Sequence, residues 1–179
     1  MDTVDNTKVK IMIRLLTLLF VMVTFSANAA DVTIDMLNKD ANGNKMVYGK
    51  EIAKVAVGDT ITWLPASKGH NVHFISAPDG IKKLPKSKMN KEYSYTFERE
   101  GIYLYQCTPH KSMGMIGLVI VGDDLSNIKQ ISKTKVFGKS KKKLKKWLSE
   151  IFISILLFLY GLDVNIIFVV SSPYNTSFV

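Results

Sequence analysis

Apolar and polar positions alternate with a period of two through most of the segment from residue 31 to residue 122. Val32, Ile34 and Met36 interleave with Thr33, Asp35 and Leu37, until Asn38 opens a polar loop around Asn42-Gly43. A second segment, Ile52-Ala53-Lys54-Val55, is followed by the turn Val57-Gly58-Asp59 and by Thr60-Ile61-Thr62-Trp63-Leu64. Val72 and Phe74 lie in another extended piece. Tyr93-Ser94-Tyr95-Thr96-Phe97 alternates aromatic with hydroxyl side chains, a pattern suited to a pleated, half-buried surface. Glu100-Gly101 then turns the chain into Ile102-Tyr103-Leu104-Tyr105, and Leu118-Val119-Ile120-Val121-Gly122 closes the series. Seven or eight strands within about ninety residues, with no helical period long enough for a crossover, predict a β-sandwich.

Beyond Gly122 the pattern changes. Asp123-Asp124 is placed to cap a helix through Leu125–Ile128, and the stretch from Lys139 to Glu150 reads as a second helix. The expected division is therefore a sandwich over 30–122 and a helical extension over 123–150. Residues 151–179 form an apolar tail. Ile151 to Val170 carries no lysine or arginine but is interrupted by Gly161, Asp163 and Asn165. A central aspartate costs about 2.5–3.5 kcal/mol to insert into a bilayer, and an anchor here would put Lys139–Lys146 on the outer side, against the positive-inside tendency. A weak membrane anchor, a packed extension and sequence read past a natural end by a frameshift all stay open for the tail, with the frameshift ranked first. Membrane contact is expected only on the anchor reading.

At the other end, Lys8, Lys10 and Arg14 precede an apolar run from Leu15 to Phe25, and Ala27-Asn28-Ala29 offers a small-x-small cleavage site. Residues 1–29 thus read as a signal peptide, with the mature chain starting at Ala30. The alternative, an uncleaved anchor, needs a longer apolar run of about 20 residues. Export implies the periplasm in a Gram-negative bacterium.

The formal net charge is +9, and its distribution matters more than its size. Residues 30–122 hold 12 basic and 9 acidic side chains, whereas 123–150 hold 9 and 3. The excess sits on the helical piece. It has no arginine or aromatic interleaving for base stacking, so a solvated lysine face is preferred and no nucleic-acid partner is expected. A single cysteine excludes an intramolecular disulfide and leaves an exported thiol to be metal-bound, reactive or inertly buried.

That cysteine opens the run Cys107-Thr108-Pro109-His110-Lys111-Ser112-Met113-Gly114-Met115, on a loop between two predicted strands. A thiolate, an imidazole and a thioether so close together select copper over hard cations. A second imidazole must come from elsewhere, and only His70 and His73 remain. Three apart on an extended strand, they face opposite sides. His70, after Lys68-Gly69 at the mouth of the strand, is the choice, and His73 reads as an ordinary edge histidine. Asn71 can hydrogen-bond across to the Cys107 loop and hold the two segments together. The residues themselves leave Met113 and Met115 both open as the thioether donor.

Gly69-His70-Asn71-Val72, Cys107-Thr108-Pro109-His110 and Met113-Gly114-Met115 resemble the pseudoazurins, small blue-copper proteins of the cupredoxin family. The resemblance extends to Met36-Leu37-Asn38-Lys39 and Val57-Gly58-Asp59-Thr60, and covers about 30–150, the two helices included. It implies an all-β Greek-key sandwich (cupredoxin) with two C-terminal helices and one type 1 copper ion cycling between Cu(I) and Cu(II). The implied ligands are His70, Cys107, His110 and Met115, with Thr108 and Pro109 beside Asn71 as supporting residues. Met113 would lie at the surface near the exposed ligand. Acidic redox partners such as nitrite reductase or a c-type cytochrome would dock on an apolar patch ringed by Lys39, Lys68, Lys86 and Lys88. Gln106, where the family commonly has lysine, His73, and the loop from Lys82 to Lys88 depart from the pattern and put the partner in doubt. A monomer is expected.

Two rivals stand beside an electron carrier. A copper carrier or storage protein would offer an exposed, exchanging site, which one embedded Cys–His–Met loop disfavours. A multicopper oxidase or reductase domain needs further histidines, and only His73 would be left. The chain is therefore not expected to be an enzyme.

Overall fold

The computed structural model describes residues 31–160 except Lys82. The signal-peptide reading of residues 1–29 and most of the tail reading lie outside them. Eight strands are formed among the described residues: β1 Asp31–Lys39, β2 Lys45–Tyr48, β3 Ile52–Val55, β4 Thr60–Leu64, β5 His73–Ser76, β6 Tyr93–Thr96, β7 Gly101–Gln106 and β8 Ile116–Val121. Two helices follow, α1 Ile128–Lys133 and α2 Gly138–Leu159. The strands make two four-stranded sheets in the orders β2-β1-β4-β6 and β3-β8-β7-β5. β1 runs parallel to β4 and β3 parallel to β8, while the remaining pairs are antiparallel. The chain thus passes repeatedly from one sheet to the other, and the predicted Greek-key sandwich is the fold.

The sheets differ in what covers them. In the first, inward residues such as Ile34, Met36, Ile61 and Trp63 are buried, while Thr60, Thr62, Ser94 and Thr96 pair their hydroxyls on the outer face. This is the period-two pattern the sequence displays. In the second, every residue of β7 and β8 is buried. Tyr103, Tyr105, Val119 and Val121 face the other sheet, whereas Ile102, Leu104, Leu118 and Ile120 turn outward. Ile131 of α1 and Leu144, Trp147 and Ile151 of α2 cover that outer face. Each such side chain, once buried, contributes roughly 1.5–3 kcal/mol.

Three local readings change. β1 runs on through Asn38 to Lys39, and β2, unmarked in the sequence by any alternation, pairs with it from Lys45. Asp124 caps a turn, accepting the Ser126 N–H at 2.8 Å, so the first helix starts only at Ile128. Asn127, just before it, uses its side chain on β7 instead: its Oδ1 accepts the Ile102 N–H at 2.9 Å and its Nδ2 donates to the Ile102 carbonyl at 2.8 Å. The second helix does not stop at Glu150 but continues to Leu159, with Phe152, Ile153, Leu156 and Leu159 exposed. No helix among the described residues is long and apolar enough to cross a membrane.

Candidate metal centre

The site lies at one end of the sandwich, where the β7–β8 loop meets the segment leading into β5. Cys107 immediately follows β7, and its N–H donates to the Met115 carbonyl at 3.0 Å, closing the loop at its base. Within it, the His110 N–H donates to the Cys107 carbonyl at 3.2 Å and the Met113 N–H to the His110 carbonyl at 2.9 Å. These tight turns bring the His110 imidazole back over the thiol. Its Nδ1 lies 3.5 Å from Cys107 Sγ.

His70 arrives from the other segment, with Nδ1 3.7 Å from the same sulfur. The donor atoms of His70, Cys107 and His110 all lie within 4.8 Å of one another. Donors about 2 Å from a common centre are spaced in this way, so the three fit around one ion. Met115 is fully buried in the same core cluster as Cys107, whereas Met113 is exposed.

Neighbouring groups orient the two segments. His70 Nε2 lies 2.8 Å from Asn38 Oδ1, an acceptor that fixes the proton on Nε2 and leaves the Nδ1 lone pair facing the sulfur. Asn71 bridges as the sequence suggested: its Oδ1 accepts the Thr108 N–H at 2.9 Å and its Nδ2 donates to Thr108 Oγ1 at 3.2 Å. Tyr48 Oη donates to the Asn71 carbonyl at 2.8 Å, tying that link to β2. Gly69 has φ +93°, a left-handed conformation suited to glycine, and a Cβ added there would face His110 Cε1 at 4.0 Å.

His70 lies just ahead of β5, at the mouth of the strand as expected, and it is His70, not His73, that comes beside Cys107. His70 is not on the strand at all, so alternation across a sheet does not decide between them. Burial does: His70 is fully inside, whereas His73 starts β5 opposite Gln106 and beside Lys86. His73 Nδ1 has no hydrogen-bond partner among the described residues.

Electrostatics suit a cation. Burial, with the nearby His110, lowers the pKa of His70, and burial alone lowers that of His110. Both imidazoles therefore resist protonation and keep a lone pair free. Burial raises the Cys107 pKa, against hydrogen bonds from the Asn71 and His110 backbones that lower it. A thiol so placed gives up its proton readily only to a metal. One soft sulfur and two imidazoles suit copper.

The residues expected to dock a partner are at the surface. Pro109, Lys39, Lys68, Lys86 and Lys88 are all exposed. Lys39 adjoins Asn38, and Lys86 and Lys88 flank Ser87, whose Oγ accepts the Val72 N–H at 2.9 Å. The Asn90 N–H, two residues further on, donates to the His70 carbonyl at 2.9 Å. Sequence reasoning missed the part played by Asn38. It stood out as the polar residue that breaks the alternation of β1 and as part of Met36-Leu37-Asn38-Lys39, with no role attached to its side chain.

Comparison with known proteins agrees. Residues 34–122 match the copper binding proteins of the plastocyanin/azurin family. Pseudoazurin from Methylorubrum extorquens is 40% identical over 107 residues, 59% of this chain and 71% of that protein. Pseudoazurin from Paracoccus pantotrophus is 36% identical over 125 residues, 69% of this chain and 85% of its own length. The crystal structure of native pseudoazurin from Hyphomicrobium denitrificans superposes with a TM-score of 0.62 at 36% identity, over 68% of this chain and 98% of that one. With fold, donor set and relatives in accord, the chain belongs to the pseudoazurin cupredoxins and is a blue-copper electron-transfer protein whose site fits one type 1 copper ion.

Proposed function

We propose that the protein is a periplasmic carrier that shuttles single electrons between respiratory redox proteins, and that His70, Cys107, His110 and Met115 are the residues that would hold its copper ion. The observation that carries this reading is the convergence of three donor atoms, from segments 37 residues apart, to within 4.8 Å of one another. Bound there, copper supplies a one-electron couple between Cu(I) and Cu(II). The protein's part is to hold the donors in one geometry for both states, which keeps rearrangement small. Asn38 fixes the His70 ring, and the Asn71–Thr108 pair locks the two segments together.

His110 is the route out. It is half-buried, beside exposed Pro109 and Met113, whereas Cys107 and His70 are closed off from solvent. A partner seated on that apolar patch meets the imidazole edge, and Lys39, Lys68, Lys86 and Lys88 favour an acidic one, such as a nitrite reductase or a c-type cytochrome. Encounter steered by these lysines should slow as ionic strength rises. A rate insensitive to salt would remove them from docking.

The rival is a copper carrier or store. Burial of both Cys107 and Met115 favours retention over release. The deciding test is a visible and electron paramagnetic resonance spectrum of the copper-loaded protein, followed by challenge with a chelator. An intense visible band, fast redox cycling and slow copper loss support the electron carrier. Rapid surrender of copper without a strong band would overturn it.

A further inference from the structure

Helical serines normally satisfy their hydroxyls within their own helix, and three here do so. Ser132 donates to the Lys129 carbonyl, Ser149 to Lys145 and Ser154 to Glu150. Ser140 does not. It is fully buried in the first turn of α2, and its Oγ donates at 2.6 Å to the carbonyl of Lys111, 29 residues away. Lys111 is the residue after His110.

The next carbonyl in the loop is held by the same turn. A helix leaves its first N–H groups without partners inside it, and the Lys139 N–H donates to the Ser112 carbonyl at 2.9 Å. Gly138, with φ +53°, starts the helix so close that any Cβ would collide with the Ser112 carbonyl oxygen. Two consecutive carbonyls between His110 and Met115 are therefore gripped from inside, while the side chains of Lys111, Ser112 and Met113 face solvent.

We propose that Ser140 is a positioning residue for the metal site, and that the first turn of α2 sets the span between the His110 imidazole and the Met115 thioether. This rests on the ligand assignment proposed above. The hydroxyl acts through the Lys111 carbonyl and touches no ligand. Losing it lets residues 111–112 relax outward and loosens the geometry that both oxidation states share.

The test uses the full copper-loaded chain with Ser140→Ala, and Ser149→Ala as a control helical serine. S140A should bind one copper with unchanged helical circular dichroism. Its visible band ratio and reduction potential should shift, and its electron self-exchange should fall about tenfold, the lower end of what removing a ligand support costs. In the metal-free protein, the Lys139 amide should exchange faster with solvent. S149A should move none of these, and Ser140→Thr should restore them. Wild-type spectrum, potential and self-exchange in S140A would overturn the proposal, even if its melting temperature fell. Should S140A not fold, Ser140→Val against Ser140→Thr makes the same comparison at equal volume. A wild-type protein lacking the blue band would instead overturn the ligand reading.

Discussion

The metal end of the molecule and the outer face of β7 and β8 are built from the same two strands by opposite means. Around Cys107, loops are joined by directional hydrogen bonds: Asn38 to His70, Asn71 to Thr108, the Cys107 N–H to the Met115 carbonyl. On the outer face, Ile102, Leu104, Leu118 and Ile120 meet Leu144, Trp147 and Ile151 with no such bonds between their side chains, and area is what counts. A redox site needs angles and distances fixed to a fraction of an ångström. A helix needs only enough apolar surface to stay on the sheet. Damage at one place should therefore be read by spectroscopy, and damage at the other by melting.

Cys107→Ser sharpens this contrast most. The change is nearly isosteric, so the metal-free protein should keep its fold by circular dichroism, while the visible charge-transfer band disappears entirely. A surviving strong band would mean that sulfur is not a ligand. Trp147→Ala is the reverse experiment. Its side chain is 7% exposed and lies on the outer face, so truncation should cost about 3–5 kcal/mol by denaturant titration. The spectrum of the folded fraction should be unchanged, since Trp147 lies about two turns of α2 beyond Ser140. A shifted spectrum would join the two regions into one.

The same contrast explains what could be read from the sequence. The half-solvated sheet displays its period two, as at Thr60–Leu64 and Tyr93–Thr96, because one face meets water. β7 and β8 appear instead as apolar runs, which signal burial on both faces without saying what covers the second. β2 escaped notice because its four residues have a burial pattern that does not alternate. The end of α2 was misplaced because the surface changes from lysine to apolar at Ile151, a break in composition but not in the helix. The donors at 70, 107 and 110 were legible because so few histidines and cysteines exist. Asn38 and Ser140 were not, since each bonds a group about thirty residues distant that only the folded chain brings near.

Asn71→Ala tests whether hydrogen bonds at the metal end also support the fold. It removes both bonds to Thr108 and leaves the partly buried Thr108 N–H without that acceptor, so a cost of about 1–3 kcal/mol is expected. Copper should also be lost faster to a chelator, because the bridge between the two ligand segments is gone. If stability falls and copper loss does not quicken, Asn71 serves packing alone.

The smallest effect concerns an ion pair that links the sandwich to the helix covering it, between Glu51 ahead of β3 and Lys143 of α2. Although paired, Glu51 has its pKa raised from the ordinary 4.5, because burial outweighs the attraction of Lys143. A carboxyl whose folded pKa lies above its unfolded one binds its proton more tightly when folded. It imposes no penalty below pH 4.5, where both states are neutral, and an increasing one as pH rises to the folded value, above which the penalty is constant. Other carboxylates titrate in the same range, so the informative quantity is the difference between wild type and Glu51→Gln. Relative to wild type, E51Q should gain stability as pH climbs through that window, by less than about 1 kcal/mol for a pair so near the surface. Thermal melts of both proteins across the window measure it. A difference that shrinks with rising pH would mean that Lys143 outweighs burial, making the pair a stabilising strut between helix and sandwich rather than a weakly tolerated contact.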